Sequence, residues 1–143
     1  MKKYFTLMAS TSLLVLSALS GCAQKLAQKD VPAAVQQHFS KQFPGALASW
    51  EKEKDKLEGN FKQNGKECSV LYDMKGNLLE SEVAISQQEL PAAAVAYIQK
   101  HYAGKKIKET ARITDAKGAI TFEVEVSGKD VIFDEKGNFV KIN

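Results

Sequence analysis

The chain repeats itself, and that duplication limits what it can fold into. Val31-Pro32-Ala33-Ala34 recurs 59 residues later as Leu90-Pro91-Ala92-Ala93. At the same offset Phe39 meets Ile98, Lys41 meets Lys100, Phe43 meets Tyr102 and Gly45 meets Gly104. Towards the ends, Tyr72-Asp73-Met74-Lys75-Gly76-Asn77 recurs at an offset of 61 as Phe133-Asp134-Glu135-Lys136-Gly137-Asn138. A short insertion in a hairpin accounts for the slip. Repeats of this kind are units that cannot bury their apolar faces alone. Units under about 60 residues bury little surface by themselves. The two are therefore expected to share a sheet or a core.

Each unit opens with a helix. Proline is welcome in a first helical turn, where its missing N–H would be unpaired anyway. Val31, Val35, Phe39 and Gln42/Phe43 follow one stripe at i, i+4 spacing, and Leu90, Ala94, Ile98 and His101/Tyr102 follow the other. Gly45 and Gly104 are placed to end the helices. Strands follow. Ile120, Phe122, Val124 and Val126 alternate with Thr121, Glu123 and Glu125, as in a strand with one face buried. Ile107, Ala111 and Ile113 suggest the strand before it. Asn64-Gly65, Ser127-Gly128 and the two Lys-Gly-Asn segments read as hairpin turns. The expectation is an α+β fold. Two tandem helix-plus-four-strand units, 31–86 and 87–143, form one antiparallel sheet of about eight strands, with both helices packed on one face.

The N-terminus carries an address. Met1-Lys2-Lys3 is basic, an apolar run extends from about Tyr4 to Leu19, and Leu19-Ser20-Gly21-Cys22 follows. These are the parts of a secretory signal. The run is shorter than the roughly 20 apolar residues of a spanning helix. Leu19-Ser20-Gly21-Cys22 resembles the bacterial lipobox. That resemblance implies cleavage after Gly21 and a lipid on Cys22, with residues 1–21 discarded. One acyl chain holds a membrane only marginally, at about 0.8 kcal/mol per buried CH₂, and two or three hold it durably. Residues 22–30 are small and polar, and read as a flexible tether.

Charge and cysteine narrow the classes further. The chain carries a formal net charge of +3, and Lys2 and Lys3 leave with the signal peptide, so the mature chain is close to neutral. A nearly neutral, mixed surface has no electrostatic drive towards nucleic acid. With Cys22 lipidated, Cys68 has no internal disulfide partner. It is either a small buried strand residue or a free thiol able to cross-link.

The helix starts, the charged first hairpin and the repeated Tyr/Phe-Asp-x-Lys-Gly-Asn turn together resemble the PepSY-like family. That family is also called beta-lactamase-inhibitor-like. The resemblance spans about residues 30–143 and implies tandem helix-plus-four-strand units in an exported bacterial protein. It implies no activity, because fold does not carry function. In the inhibitor that lends the family its name, the open face of the sheet contacts the target. Here that face is expected to carry Lys108, Thr110, Arg112, Thr121, Glu123 and Glu125. Tight interfaces deplete Lys and Glu, so it reads as a poor surface for a tight inhibitor.

No constellation of chemistry stands out. His38 and His101 sit on different helices and hold no equivalent repeat positions. The Asp73 and Asp134 loops each have a lysine where a calcium loop needs oxygen ligands. They read as hairpin turns, with each Asp accepting turn N–H groups. No catalytic, cofactor or metal set is expected. Glu51, Lys52, Glu53 and Lys54 begin a run of alternating sign. It reads as a projecting, charged hairpin that resists aggregation, or as a finger that contacts a partner. Trp50 before it is either core or a binding hot spot. The reading is a non-enzymatic cell-envelope lipoprotein, tied to the membrane through Cys22, that presents a protein-binding or inhibitor-like module to another exported protein. The alternative is a carrier of a small ligand or peptide in a cleft between helices and sheet, or between units. An enzyme is the remote alternative.

Overall fold

A computed structural model describes residues 24–143. The expected signal peptide and Cys22 fall outside the described residues. In chain order the elements are β1 (Gln24–Leu26), α1 (Ala33–Gln42), β2 (Ser49–Glu53), β3 (Lys56–Gln63), β4 (Lys66–Asp73) and β5 (Leu78–Ala84). Then come α2 (Ala92–His101), β6 (Ile107–Asp115), β7 (Ile120–Val126), β8 (Lys129–Asp134) and β9 (Phe139–Ile142). The strands form one nine-stranded sheet in chain order, each antiparallel to its neighbour.

The ninth strand corrects the expectation for residues 22–30. From Gln24 on, the segment is ordered: Gln24, Lys25 and Leu26 pair with Lys52, Glu51 and Trp50. A 3₁₀ turn at Gln28–Asp30 then leads into α1, as the turn at Gln87–Glu89 leads into α2. The repeat therefore begins with a strand before the helix. β1 stands to α1 as β5 stands to α2. Backbone pairing and the packing of Leu26 on the first core hold β1 in place, although its sequence has no apolar alternation.

Both helix stripes are buried as expected. Val31, Val35 and Phe39 join Trp50, Leu57, Phe61, Cys68, Val70 and Tyr72 in one core. Leu90, Ala94 and Ile98 join Val124, Val126, Val131 and Phe133 in a second. The register carries one face across the whole sheet: Cys68 meets Val83, Val83 meets Arg112, Arg112 meets Phe122 and Phe122 meets Phe133. Both cores, and so both helices, lie on that face. The turns follow from backbone chemistry. Asn64, Gly65, Ser127 and Gly128 all have positive φ, as tight two-residue hairpins demand.

The repeated motifs meet each other. Gly76 has φ +87° and lies against the first turn of α1, where an added Cβ would fall 2.9 Å from the Ala34 carbonyl carbon. Gly137, at φ +85°, lies against α2, where a Cβ would fall 2.7 Å from the Pro91 Cβ and 2.8 Å from the Ala94 nitrogen. The Pro-Ala-Ala helix start is small because a turn glycine docks on it. Each turn is built by its aspartate. Asp73 Oδ1 accepts the Lys75 and Asn77 N–H groups at 2.9 Å, and Oδ2 accepts the Asn77 amide at 2.7 Å. Asp134 repeats the pattern with Lys136 and Asn138. Bonds from Asn77 and Asn138 hold both carboxyls below the usual range.

Candidate functional site

The other face of the sheet carries neither helix. Pairing across β5, β6, β7 and β8 places Glu82, Ile113 and Thr121 there, and beside them Ala111, Glu123 and Ile132. This overturns part of the expected face. Thr110 pairs with Val124, and Arg112 with Phe122, so both belong to the helix side. Ala111 and Ile113 are on the open side instead. The cause is a bulge between Ile107 and Glu109. One extra residue inverts the alternation of the rest of the strand.

The centre of this face is buried although neither α1 nor α2 covers it. Glu82 is 2 % exposed, Ser69 3 %, Ile113 7 % and Glu123 9 %. Glu82 lies between Ser69 on β4 and Ile113 on β6. Its Oε1 is buried and has no hydrogen-bond partner among the described residues. Leaving a buried polar atom unpaired costs about 1–3 kcal/mol. Burial pushes the Glu82 carboxyl up to about 9, and the nearby charges of Glu123, Glu109, Glu80 and Glu58 push the same way. Burial also pushes Glu123 up to about 8, with Asp130 and Glu109 adding to it. At neutral pH both carboxyls hold a proton. The open face is thus a set of crowded acids with two neutral members at its centre.

The run from Trp50 to Lys54 is not a projecting finger. β2 is paired on both sides, to β1 and to β3. Trp50 is 3 % exposed. Its ring meets Phe39 edge-on at 5.3 Å, and its Nε1 donates to Gln28 Oε1 at 3.1 Å. The core alternative holds for Trp50, and it cannot anchor a contact on the surface. Glu51, Lys52 and Glu53 are half-buried in the sheet, and Lys54 is exposed in the turn. Alternation places Glu51 and Glu53 on the open face, on the same side as Glu58.

The histidines do local work. His38 Nδ1 donates to the Gly76 carbonyl at 2.7 Å, tying α1 to the turn that docks on it. His101 stacks on Tyr97 at 4.2 Å, and Tyr97 stacks on Phe139 at 5.0 Å. Cys68 is a free, buried thiol that burial shifts upward. It is expected to resist a disulfide reagent in the native protein and to react fully within minutes in denaturant. Fast native labelling would return it to the alternative of a cross-linking thiol.

A second feature lies on the helix side, where the two units meet. A cleft of about 280 Å³ is lined by Lys66, Val83, Ile85, Glu89, Arg112 and Phe122. Lys66 is spanned to Glu89 at 3.1 Å. Arg112 is exposed above the apolar residues.

A duplicated strand–helix–hairpin unit, an open meander sheet and helices confined to one face define a class of two-layer α+β proteins. The beta-lactamase-inhibitor-like, PepSY-like family matches residues 19–80 and again residues 79–141. The chain belongs to that family. The second match begins at the start of β5, in agreement with a repeat that opens on a strand. Solved structures share the fold. A protein of Bacteroides eggerthii described as periplasmic has a TM-score of 0.73 at 16% identity, over 79% of this chain and 88% of its own. A DUF2874 family protein of Bacteroides uniformis has a TM-score of 0.71 at 20% identity, over 78% and 88%. A BLIP-like protein of Bacteroides fragilis has a TM-score of 0.65 at 23% identity, over 78% and 85%. No curated protein matches the chain.

Proposed function

We propose that this protein is a non-enzymatic lipoprotein of the cell envelope that presents a protein-binding module, with the open face of the sheet as its binding surface. The observation that carries this reading is Glu82, a buried carboxyl whose Oε1 has no hydrogen-bond partner among the described residues, on the face that neither α1 nor α2 covers. A stable fold has no internal use for such a group. The lipobox at Leu19-Ser20-Gly21-Cys22 supports the anchor. The periplasmic description of a structural neighbour agrees with an envelope location. The acids that argue against a tight, apolar inhibitor surface agree with a partner of opposite charge.

Cross-linking in intact envelopes with a carbodiimide, which joins carboxyls to amines, tests the reading. Full-length protein is expected to capture one exported partner, through peptides from β5 to β8. Cys22→Ser is expected to reduce the yield severalfold, because a tether raises the local concentration. No partner from either protein overturns the module. A small molecule retained in native mass spectrometry would then favour the cleft at Arg112, an exposed cation over an apolar floor suited to an amphiphilic anion.

A further inference from the structure

We infer that the open face takes a basic segment of the partner protein, with an Arg or Lys side chain seated between Glu82 and Glu123. This rests on the protein-binding reading above and names the chemistry of what is bound. Charge is the first ground. The register across β5 to β8 gathers Glu80, Glu82, Glu109, Glu123, Glu125 and Asp130 on one face. Lys108, beside them, is already held by Glu125 at 2.8 Å. Glu58 adds a carboxyl from β3, and burial pushes the Glu80 carboxyl up, with Lys56 and Lys141 acting against it. The four charges that act most strongly on Glu82 are all acidic.

The second ground is independent of charge. Glu82 Oε1 is a buried acceptor with no donor among the described residues, on a residue that is 2 % exposed. A guanidinium or ammonium offers several donors and meets a carboxylate at short range. Among the described residues no three carboxylate, histidine or thiol side chains are arranged to hold a metal ion. A side-chain cation needs only two acceptors and brings its own geometry.

Seating the cation has a chemical signature. Glu82 and Glu123 are protonated in the free protein at neutral pH. An arriving cation favours the carboxylate, so each carboxylic acid gives its proton to solvent as the ion pair forms. Binding therefore releases protons and tightens as pH rises. Ordinary surface carboxylates are fully ionised above pH 6 and give no such slope.

The test uses the mature chain and a capped ten-residue peptide of alternating Arg and Thr, measured by calorimetry from pH 6 to pH 8 in buffers of different ionisation enthalpy. The expected result is a Kd that falls about tenfold or more per pH unit, with at least one proton released. Glu82→Gln/Glu123→Gln is expected to weaken binding at pH 8 at least tenfold and to remove the slope. Circular dichroism checks its fold, and Glu123→Gln alone supplies a milder variant. Absent binding, a flat pH profile, or equal affinity of the double variant each overturns the inference. So does loss of the peptide to millimolar calcium with the same proton release, which would make the site a metal site. The cross-linking result stands apart: a partner captured equally by the double variant leaves the module and removes only the basic segment.

Discussion

Gly137→Ala is expected to cost about 3 kcal/mol of stability, against about 1 kcal/mol for Gly128→Ala. Both glycines have positive φ, so both substitutions incur the same backbone strain. They differ in what surrounds them. A Cβ on Gly128 meets nothing within 4 Å, whereas one on Gly137 meets the first turn of α2 at 2.7 and 2.8 Å. One of those atoms is the Ala94 backbone nitrogen, which cannot swing aside. The turn must lift or the helix must shift, and either move opens the core around Ala94 and Ile98. Gly76→Ala is expected to behave like Gly137→Ala, since its Cβ would press on the Ala34 backbone. Thermal and urea denaturation of the three variants would decide it. The two docked glycines are expected to lower Tm by about 10 °C. Equal losses at all three positions would mean that only backbone strain matters, and that the turns do not bear on the helices.

The second large effect depends on pH. Wild-type stability is expected to fall as pH rises from 5 to 9. The sign follows from proton counts. In the unfolded chain the Glu82 carboxyl has its ordinary pKa of 4.5, and in the fold it is pushed up to about 9. Between those values the native state holds a proton that the unfolded state has lost, so each rise in pH favours unfolding. For Glu82 this amounts to roughly 3 kcal/mol by pH 7. Glu123, pushed up to about 8, acts in the same direction. Glutamine resembles the protonated acid in shape and cannot ionise. Glu82→Gln is therefore expected to match wild type near pH 5 and to exceed it by several kcal/mol at pH 9. Urea unfolding at four pH values would show the crossing. A variant that tracks wild type at every pH would mean that water reaches Glu82 freely.

Much of the architecture is legible in the sequence because it rests on local rules. The offset of 59 aligns the two helices residue for residue. The stripes through Val35 and Phe39 and through Ala94 and Ile98 are the buried faces. Asp73 and Asp134 build their turns as their short side chains dictate. Three things were hidden, each for a physical reason. β1 is three residues long and polar, and pairing with β2 makes it a strand. Its one signal is that offset 59 places Lys25 opposite Ala84 in β5. The bulge at Ile107 inverted the faces of β6, and nothing in the residues marks it. The burial of Glu82 and Glu123 was hidden too. An alternating strand shows which side a residue takes, but not how closely neighbouring strands crowd it. Trp50 suits core or surface by residue type alone, and its contacts with Phe39 and Gln28 make it core.

The strand order has a consequence for how the chain finds its structure. Every strand pairs with the one just before it in sequence, from β1 to β9. No pairing waits for a distant segment. A loop closed between neighbouring strands is short, and its entropic cost is small. The helices interrupt this series only between β1 and β2 and between β5 and β6. A chain delivered N-terminus first can therefore add each strand to an existing edge as it emerges. Folding of this kind is a zipper with a growing end, and pairing between sequence neighbours is expected to make it fast for an all-antiparallel sheet.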